Sequence, residues 1–277
     1  SVARAYVTDI TEEKDRAKGM AVIGIAFGVG FVLGPALGGI LYGVSNTHSL
    51  AALVSGGLSL LALIFTVLFL DEPEKHRNTE AASTALFSHF GVLKNKGILV
   101  ICLVQLGFMI VFSGFETTFS VFTEKNFGYN EKQNSLLFFY IGILALIIQG
   151  GIMRKAFKNL SFGVIAGLLL SGISFFILSQ AKNIIDLGAS LALLSLGIAI
   201  VNTHLPALLS IYTKGKNAGQ IMGVYEAIGS LSRVIGPMVI YLSFYKNLNF
   251  GYFLYSLFLG GLTVLYALSL RTKKPQG

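Results

Sequence analysis

The stretch GMAVIGIAFGVGFVLGPALGGILYGVSNTHSLAALVSGGLSLLALIFTVLFL, residues Gly19–Leu70, contains no Asp, Glu, Lys or Arg. A helix needs about 20 apolar residues to cross the roughly 30 Å of hydrocarbon in a bilayer. The stretch is long enough for two such helices, and the polar run Ser45–Ser49 divides it. It therefore predicts a pair of membrane-spanning helices.

Further apolar stretches follow this pair and raise the number of predicted spans to eight. Hydrophobic residues make up 54% of the 277-residue chain and charged residues 12%, which is about half of the usual share in soluble proteins. We therefore predict an all-α membrane protein whose surroundings are the lipid bilayer. The further spans are Gly97–Val121, Gln133–Met153, Asn159–Gln180, Ile184–Thr213, Asn217–Tyr245 and Asn247–Leu270.

The net charge of +8 indicates membrane topology and not nucleic-acid binding, because the basic residues lie in the loops. When the loops are counted alternately, one set holds sixteen of the 21 Lys and Arg residues and the other set holds four. Cytoplasmic loops carry such an excess. We therefore place the basic loops and the C-terminus in the cytoplasm, and the short loops favour a bacterial inner membrane.

A polar segment divides the chain into unequal parts, with two spans before it and six after it. We predict a remnant of an N-terminal bundle at residues 1–70, a cytoplasmic linker at 71–96 and a complete six-helix bundle at 97–277. The chain begins without an initiator methionine, in sequence typical of the end of a helix. We therefore expect a fragment that is truncated at its N-terminus.

The first span carries a stripe of glycines. Gly30, Gly34 and Gly38 recur every four residues, so they share one helix face and allow another backbone to approach closely. Pro35 removes a backbone hydrogen bond and favours a kink. The same dipeptide recurs as Gly236-Pro237, 202 residues after Gly34-Pro35. Such a repeat is expected of a transporter with duplicated halves.

The pattern GxxxGPxxGG, which runs from Gly30 to Gly39, resembles the antiporter motif in the fifth helix of the major facilitator superfamily, in its drug:proton antiporter branch. The resemblance to tetracycline-efflux-like members covers the whole chain and implies helices five to twelve of a twelve-helix, two-bundle transporter. One glycine of the family motif is replaced here by Ala21. Other segments that carry the resemblance are Ala5–Thr11, Phe115–Phe119, Gln149–Gly151 and Ser232–Pro237.

The resemblance implies a secondary transporter that exports small amphiphilic compounds in exchange for protons, by alternating access of two bundles and without a cofactor or metal. We expect it to act as a monomer on a small-molecule substrate. An importer or facilitator of a small metabolite, such as a sugar or an organic acid, is the alternative. An enzyme is disfavoured because the sequence contains no HExxH, P-loop or GxSxG motif.

Three charged residues, Glu116, Glu226 and Arg233, lie inside the predicted spans beyond their first and last turns. Charged groups cost at least about 2.5–3.5 kcal/mol at the centre of a membrane helix, so they face a bundle interior or a wet cavity. Glu226 and Arg233 share a helix face but lie about 10 Å apart along the axis, too far for a salt bridge. Arg233 and Glu116 lie at a similar depth, so we predict that they pair. Glu226 is then the less compensated acid and the candidate proton carrier.

Four uncharged or neutral polar residues of the spans are further candidates. His204 is either a proton relay, because histidine titrates near neutral pH, or a hydrogen-bonded packing residue. Gln105, Gln149 and Asn202 are either hydrogen-bonding groups of a substrate cavity or polar contacts between helices. The sequence does not separate these alternatives.

Aromatic residues surround one of the intramembrane acids. Phe112, Phe115 and Phe119 lie in the same stretch of helix as Glu116. An aromatic wall beside a carboxylate suits an amphiphilic and cationic substrate, because ring faces attract cations. We therefore include these three rings among the residues expected to line the cavity.

Overall fold

The computed structural model describes residues 37–70, 91–150, 159–211 and 218–271, together with residues 26, 29, 30, 33 and 34. The regular structure of these segments is helical, and a helical stretch at residues 37–45 precedes the first helix with defined bounds. The helices are α1 His48–Phe69, α2 Lys96–Phe127, α3 Glu131–Gly150, α4 Leu160–Gln180, α5 Ile184–Ser210, α6 Ala218–Phe244 and α7 Leu248–Arg271.

Six of the described helices are long and apolar enough to cross a membrane, judged by length and composition. They are α1, α2, α4, α5, α6 and α7, and each coincides with one of the eight predicted spans. The prediction of an all-α membrane fold is confirmed for the described part of the chain. The other two predicted spans include residues that lie outside the described segments.

Asparagine side chains explain where three of these helices begin. The Oδ1 atom of Asn95 accepts a hydrogen bond from Gly97 N at 2.9 Å, at the start of α2. Asn159 caps α4 and Asn183 caps α5 in the same way. An N-cap side chain satisfies an amide that has no partner within the helix, which matters most at a membrane boundary. At the other end of α2, Gly128 has the left-handed φ of 67° and ends the helix two turns beyond the predicted span.

The described helices fall into two compact units. Described residues up to 70 and residues 129–146, which include most of α3, form the first unit, and the remaining described residues form the second. In the first unit, Gly39 lies directly against Ser135 of α3, and His48 Nε2 lies 3.2 Å from Glu131 Oε1.

The observed division differs from the predicted six-helix bundle at residues 97–277, because most of α3 groups with the first unit. The close contact of Gly39 with Ser135 is a physical reason for this grouping. Residues 71–90 of the predicted linker lie outside the described segments. The predicted domain boundaries therefore remain predictions.

The core of the second unit is a cluster of aromatic rings from three helices. Phe115 of α2 contacts Phe175 of α4 edge to face, with a centroid distance of 5.7 Å. Phe122 of α2 contacts Tyr252 of α7 at 4.9 Å. These rings are buried, and aromatic pairs of this geometry add to the stability gained from burial alone. The cluster therefore holds α2, α4 and α7 together.

The pair α4 and α5 is packed backbone to backbone. A Cβ atom added at Gly167 of α4 would lie 2.8 Å from Val201 Cγ2 and 3.0 Å from the Gly197 carbonyl oxygen of α5. About two turns further along, Ser174 Oγ donates a hydrogen bond to the Ser190 carbonyl at 2.7 Å. Membrane helices associate through such small-residue contacts and interhelical hydrogen bonds, because lipid gives them no hydrophobic driving force.

We expect Gly167→Ala to force α4 and α5 apart and to lower the free energy of unfolding by about 1–3 kcal/mol, the usual cost of overpacking. Gly261→Ala on α7 is the matched control, because no atom of the described residues lies within 4 Å of its Cβ position. Alanine favours helix over glycine, so the control should be neutral or slightly stabilising. Thermal unfolding of both variants in one detergent checks this, and equal midpoints would contradict the close α4–α5 packing.

Candidate functional site

The intramembrane charges lie on α2 and α6, which pack side by side in the second unit. The two helices run in the same direction. Near one end, the Tyr225 hydroxyl of α6 donates to Gln105 Oε1 of α2 at 2.8 Å. Further along both helices, the Tyr241 hydroxyl donates to the Thr117 carbonyl at 3.1 Å. Residues at similar depths are therefore brought together.

The helices α2 and α6 approach each other closely at Gly236. A Cβ atom there would collide with the Ile110 carbonyl oxygen and would lie 3.0 Å from Gly114 N. Beside this point, Ser113 Oγ donates a hydrogen bond to the Ser232 carbonyl at 3.2 Å. Only glycine allows two helix backbones to approach so closely, so Gly236 determines the crossing.

Glu116 and Arg233 flank this crossing. Glu116 lies three residues after Ser113 and is half-buried, whereas Arg233 lies three residues before Gly236 and is exposed. The positive charge of Arg233 acts on the Glu116 carboxylate, so the two side chains interact electrostatically. The structure thus places these charges on adjacent helices near one contact. A direct ion pair between them remains a prediction.

Polar residues follow one face of each helix around these charges. Glu116 and Ser120 are four residues apart on α2, and Glu226, Ser230 and Arg233 recur at helical spacing on α6. Each is exposed or half-buried in this unit, and polar groups in a membrane bundle face protein or a wet cavity. We call this set, with Thr117 and Tyr241, the polar stripe.

Glu226, the predicted proton carrier, is half-buried on the polar stripe. The residue takes part in a further interaction within the described structure. Its backbone carbonyl also accepts a hydrogen bond from Ser230 Oγ at 3.0 Å. Its assignment as the proton carrier therefore depends on its position within an apolar span. The assignment does not depend on the lack of a partner.

Gln105 and His204 both lie in contacts between helices. Gln105 is buried and accepts the hydrogen bond from Tyr225, which is the interhelical alternative of the two predicted roles. His204 is buried, and its ring covers Gly163 of α4. Its Nδ1 atom lies 2.9 Å from the Ile200 carbonyl oxygen of its own helix. This arrangement agrees with the packing alternative for the histidine.

Asn202 and Gln149 are the remaining polar candidates. Asn202 is exposed on α5. Gln149 belongs to α3, but its side chain lies outside the described part of the chain. Among the described residues, no group of three His, Cys, Asp or Glu side chains lies close enough together to hold a metal ion.

The three phenylalanines do not share one environment. Phe115 and Phe119 are 2% and 0% exposed, and both lie in the aromatic core. Phe112 is half-buried. The helical period explains the difference, because it turns Phe115 away from Glu116 and towards α4 and α7. Phe115 and Phe119 therefore have a packing role, which differs from their predicted place on a cavity wall.

The predicted glycine motif is described only in part. Gly39 contacts Ser135 of α3, as close helix packing requires. At Gly30, Gly34 and Gly38, no described atom lies within 4 Å of the Cβ position. Pro35 lies outside the described residues. The packing role of the whole stripe therefore remains a prediction.

Sequence reasoning did not select Tyr225 and Tyr241, which connect α6 to α2. A usable signal was present for Tyr241, because it lies eight residues after Arg233 and so continues the same helix face. No comparable signal exists for Tyr225. Its partner Gln105 is on another helix, and the sequence alone does not show which helices are neighbours.

The chain is similar to known membrane proteins in sequence and in fold. The family model of the Major Facilitator Superfamily matches residues 1–237. The chain belongs to this superfamily. Its members are transporters and not enzymes. A solved superfamily structure, that of the human organic anion transporter MFSD10 (TETRAN), is 25% identical with a TM-score of 0.73 and covers 95% of this chain and 66% of that chain. The predicted major facilitator fold is confirmed.

Curated superfamily members with similar sequences come from mammals and from bacteria. Major facilitator superfamily domain-containing protein 10 of Mus musculus is 27% identical in an alignment of 262 residues that covers 86% of this chain and 56% of the relative. The class C tetracycline resistance protein of Escherichia coli is 28% identical in an alignment of 249 residues that covers 87% of this chain and 61% of the relative. The chain thus spans little more than half the length of these relatives.

We expect Glu116 and Arg233 to show a measurable coupling energy. The test is a double-mutant cycle with Glu116→Gln and Arg233→Gln. The losses in unfolding free energy of the two single variants should sum to more than the loss of the double variant. The coupling should be on the order of 0.5–3 kcal/mol, the range for residues in contact. Thermal unfolding of the purified protein measures it.

The matched control is a cycle with Glu226→Gln and Arg233→Gln. These residues are seven positions apart on one helix, about 10 Å along its axis, so their coupling should be much smaller. Zero coupling between Glu116 and Arg233, or a larger coupling in the control, would show that the predicted pair does not exist.

Proposed function

We propose that the protein is a proton-coupled membrane transporter that exports small amphiphilic compounds by alternating access. Membership of the Major Facilitator Superfamily supports secondary transport. Similarity to a tetracycline resistance protein and to Multidrug resistance protein 2 of Bacillus subtilis supports export of drug-like compounds. The antiporter-like pattern from Gly30 to Gly39 supports the same direction.

The observation that carries this proposal is the polar stripe on α2 and α6. Two carboxylates and one guanidinium lie within otherwise apolar spans, where ionisable groups commonly mark transport pathways. We assign proton binding to Glu226. The interaction of Arg233 with Glu116 offsets part of the charge of the second acid. Proton binding and substrate binding then alternate at one face of the second unit.

The oligomeric state, membrane orientation and cellular location are also part of the proposal. We propose a monomer that spans the lipid bilayer several times, with the segment 71–96 and the C-terminus in the cytoplasm, because these parts are rich in Lys and Arg. The short loops and the bacterial relatives support a bacterial inner membrane, although relatives also occur in mammals.

A second candidate is transport of organic anions, including import or facilitated movement of a metabolite such as an organic acid. The solved human relative is named an organic anion transporter. Arg233 is an exposed cation within a membrane helix, and a guanidinium binds carboxylates through paired hydrogen bonds. The same assay distinguishes this candidate from the first.

We expect drug-driven proton release from inverted bacterial membrane vesicles that contain the full-length protein. Respiration acidifies the vesicle lumen, an internal dye reports its pH, and a panel of amphiphilic cations and organic anions is added in turn. Antiport of a cation should raise the luminal pH. Glu226→Gln should abolish this response because the amide cannot carry the proton.

Glu124→Gln is the matched control, because Glu124 lies exposed in the last turns of α2, outside the apolar stretch of that helix. It should respond like the unmodified protein. Wild-type exchange rates in Glu226→Gln would refute the assignment of the proton carrier. A response to organic anions alone would favour the second candidate.

A further inference from the structure

Tyr255 of α7 has a buried hydroxyl group that finds no hydrogen-bond partner among the described residues. The residue is 5% exposed, and its ring packs edge to face on Phe175 at 5.7 Å. A buried polar group without a partner costs free energy and calls for an explanation. Tyr252, one turn away on the same helix, shows the usual arrangement, with its hydroxyl 3.1 Å from Thr118 Oγ1.

The Tyr255 hydroxyl points at the crossing of α2 and α6. It lies directly against Gly114, at the position where a Cβ atom would be. The Gly236 carbonyl oxygen of α6 lies 3.2 Å from that same Cβ position. The hydroxyl is therefore buried beside the backbone of α6, next to the contact that Glu116 and Arg233 flank.

The Gly236 carbonyl oxygen is the α6 acceptor at this point, and the proline that follows it loosens the helix. Pro237 lies inside the helix and has no N–H group, so it cannot donate to the carbonyl of Arg233 four residues earlier. Sharp bends in helices occur at proline, because the missing hydrogen bond and the ring both loosen the turn. The dipeptide Gly236-Pro237 is thus the point at which α6 can bend.

We propose that Tyr255 is a positioning residue for transport. Its hydroxyl is unpaired in the conformation described here and donates a hydrogen bond to an α6 backbone carbonyl next to Pro237 in a second conformation, in which α6 bends at Gly236-Pro237. The proposal rests on the alternating access of the proposed function. The bend moves Arg233 relative to Glu116, so it connects the conformation of α6 to the charges of the polar stripe.

The test compares Tyr255→Phe with Tyr252→Phe, two identical changes one turn apart. Tyr255→Phe removes an unpaired hydroxyl and should raise the midpoint of thermal unfolding by about 2–4 °C, whereas Tyr252→Phe breaks a hydrogen bond and should lower it. Tyr255→Phe should nevertheless slow transport roughly tenfold, because the second conformation loses a hydrogen bond. Stability and activity thus change in opposite directions, which a merely structural residue would not do.

A labelling experiment reports the conformation without any substrate. Ser230→Cys on the polar stripe is introduced together with Cys102→Ala, and an impermeant maleimide is added to either side of the membrane. In the reference protein the new thiol should react from both sides. With Tyr255→Phe added, labelling from one side should fall roughly tenfold, because the second conformation is less populated.

The outcomes separate this inference from the proposed function. A labelling shift without transport of any tested compound would support the role of Tyr255 and count against the proposed function. A lower unfolding midpoint in Tyr255→Phe would show that the hydroxyl already has a partner in the resting conformation, which overturns the inference. Unchanged transport and unchanged labelling in Tyr255→Phe would also overturn it, whatever the unfolding midpoint.

Discussion

The close approach of α2 and α6 at Gly236 is the constraint on which the candidate site depends. Without a side chain at this position, the α6 backbone lies against the Ile110 carbonyl and Gly114 N of α2. Because the helices run in the same direction, residues on either side of the contact stay at matching depths. Glu116 and Arg233 can therefore interact from different helices, whereas Arg233 and Glu226 on the same helix cannot meet.

The aromatic core packs on another face of α2, the face that contacts α4 and α7. Phe115 lies next to Glu116 in the sequence but on another helix face, where it packs on Phe175 and Tyr252. The two faces of α2 thus have separate tasks: one face binds the helix to α4 and α7, and the adjacent face carries the polar stripe. The 3.6-residue period of the helix separates these two faces.

The fold could be predicted from sequence because its cause is local. A charge-free run such as Gly19–Leu70 has few stable alternatives to membrane helices, and Asn95, Asn159 and Asn183 indicate where helices begin. The depth argument for Glu116 and Arg233 has a related basis, since depth follows from counting residues along each span, and their pairing stays a prediction. The sequence alone does not show which helices are neighbours or which of their faces are in contact. Phe119 was therefore placed on a cavity wall although it is fully buried in the core.

The substrate is also not determined by the features that determine the fold. The fold of a superfamily member depends on glycines and core side chains, which tolerate many choices of polar residue on the exposed stripe. Relatives named for tetracycline resistance and for organic anion transport accordingly share this architecture. Arg233 and Glu226 have opposite charges on one face of α6, so the stripe can attract a cation or an anion. In the proposed transport cycle, both groups are available to a substrate, and the close contact at Gly236 keeps Arg233 and Glu116 on adjacent helices.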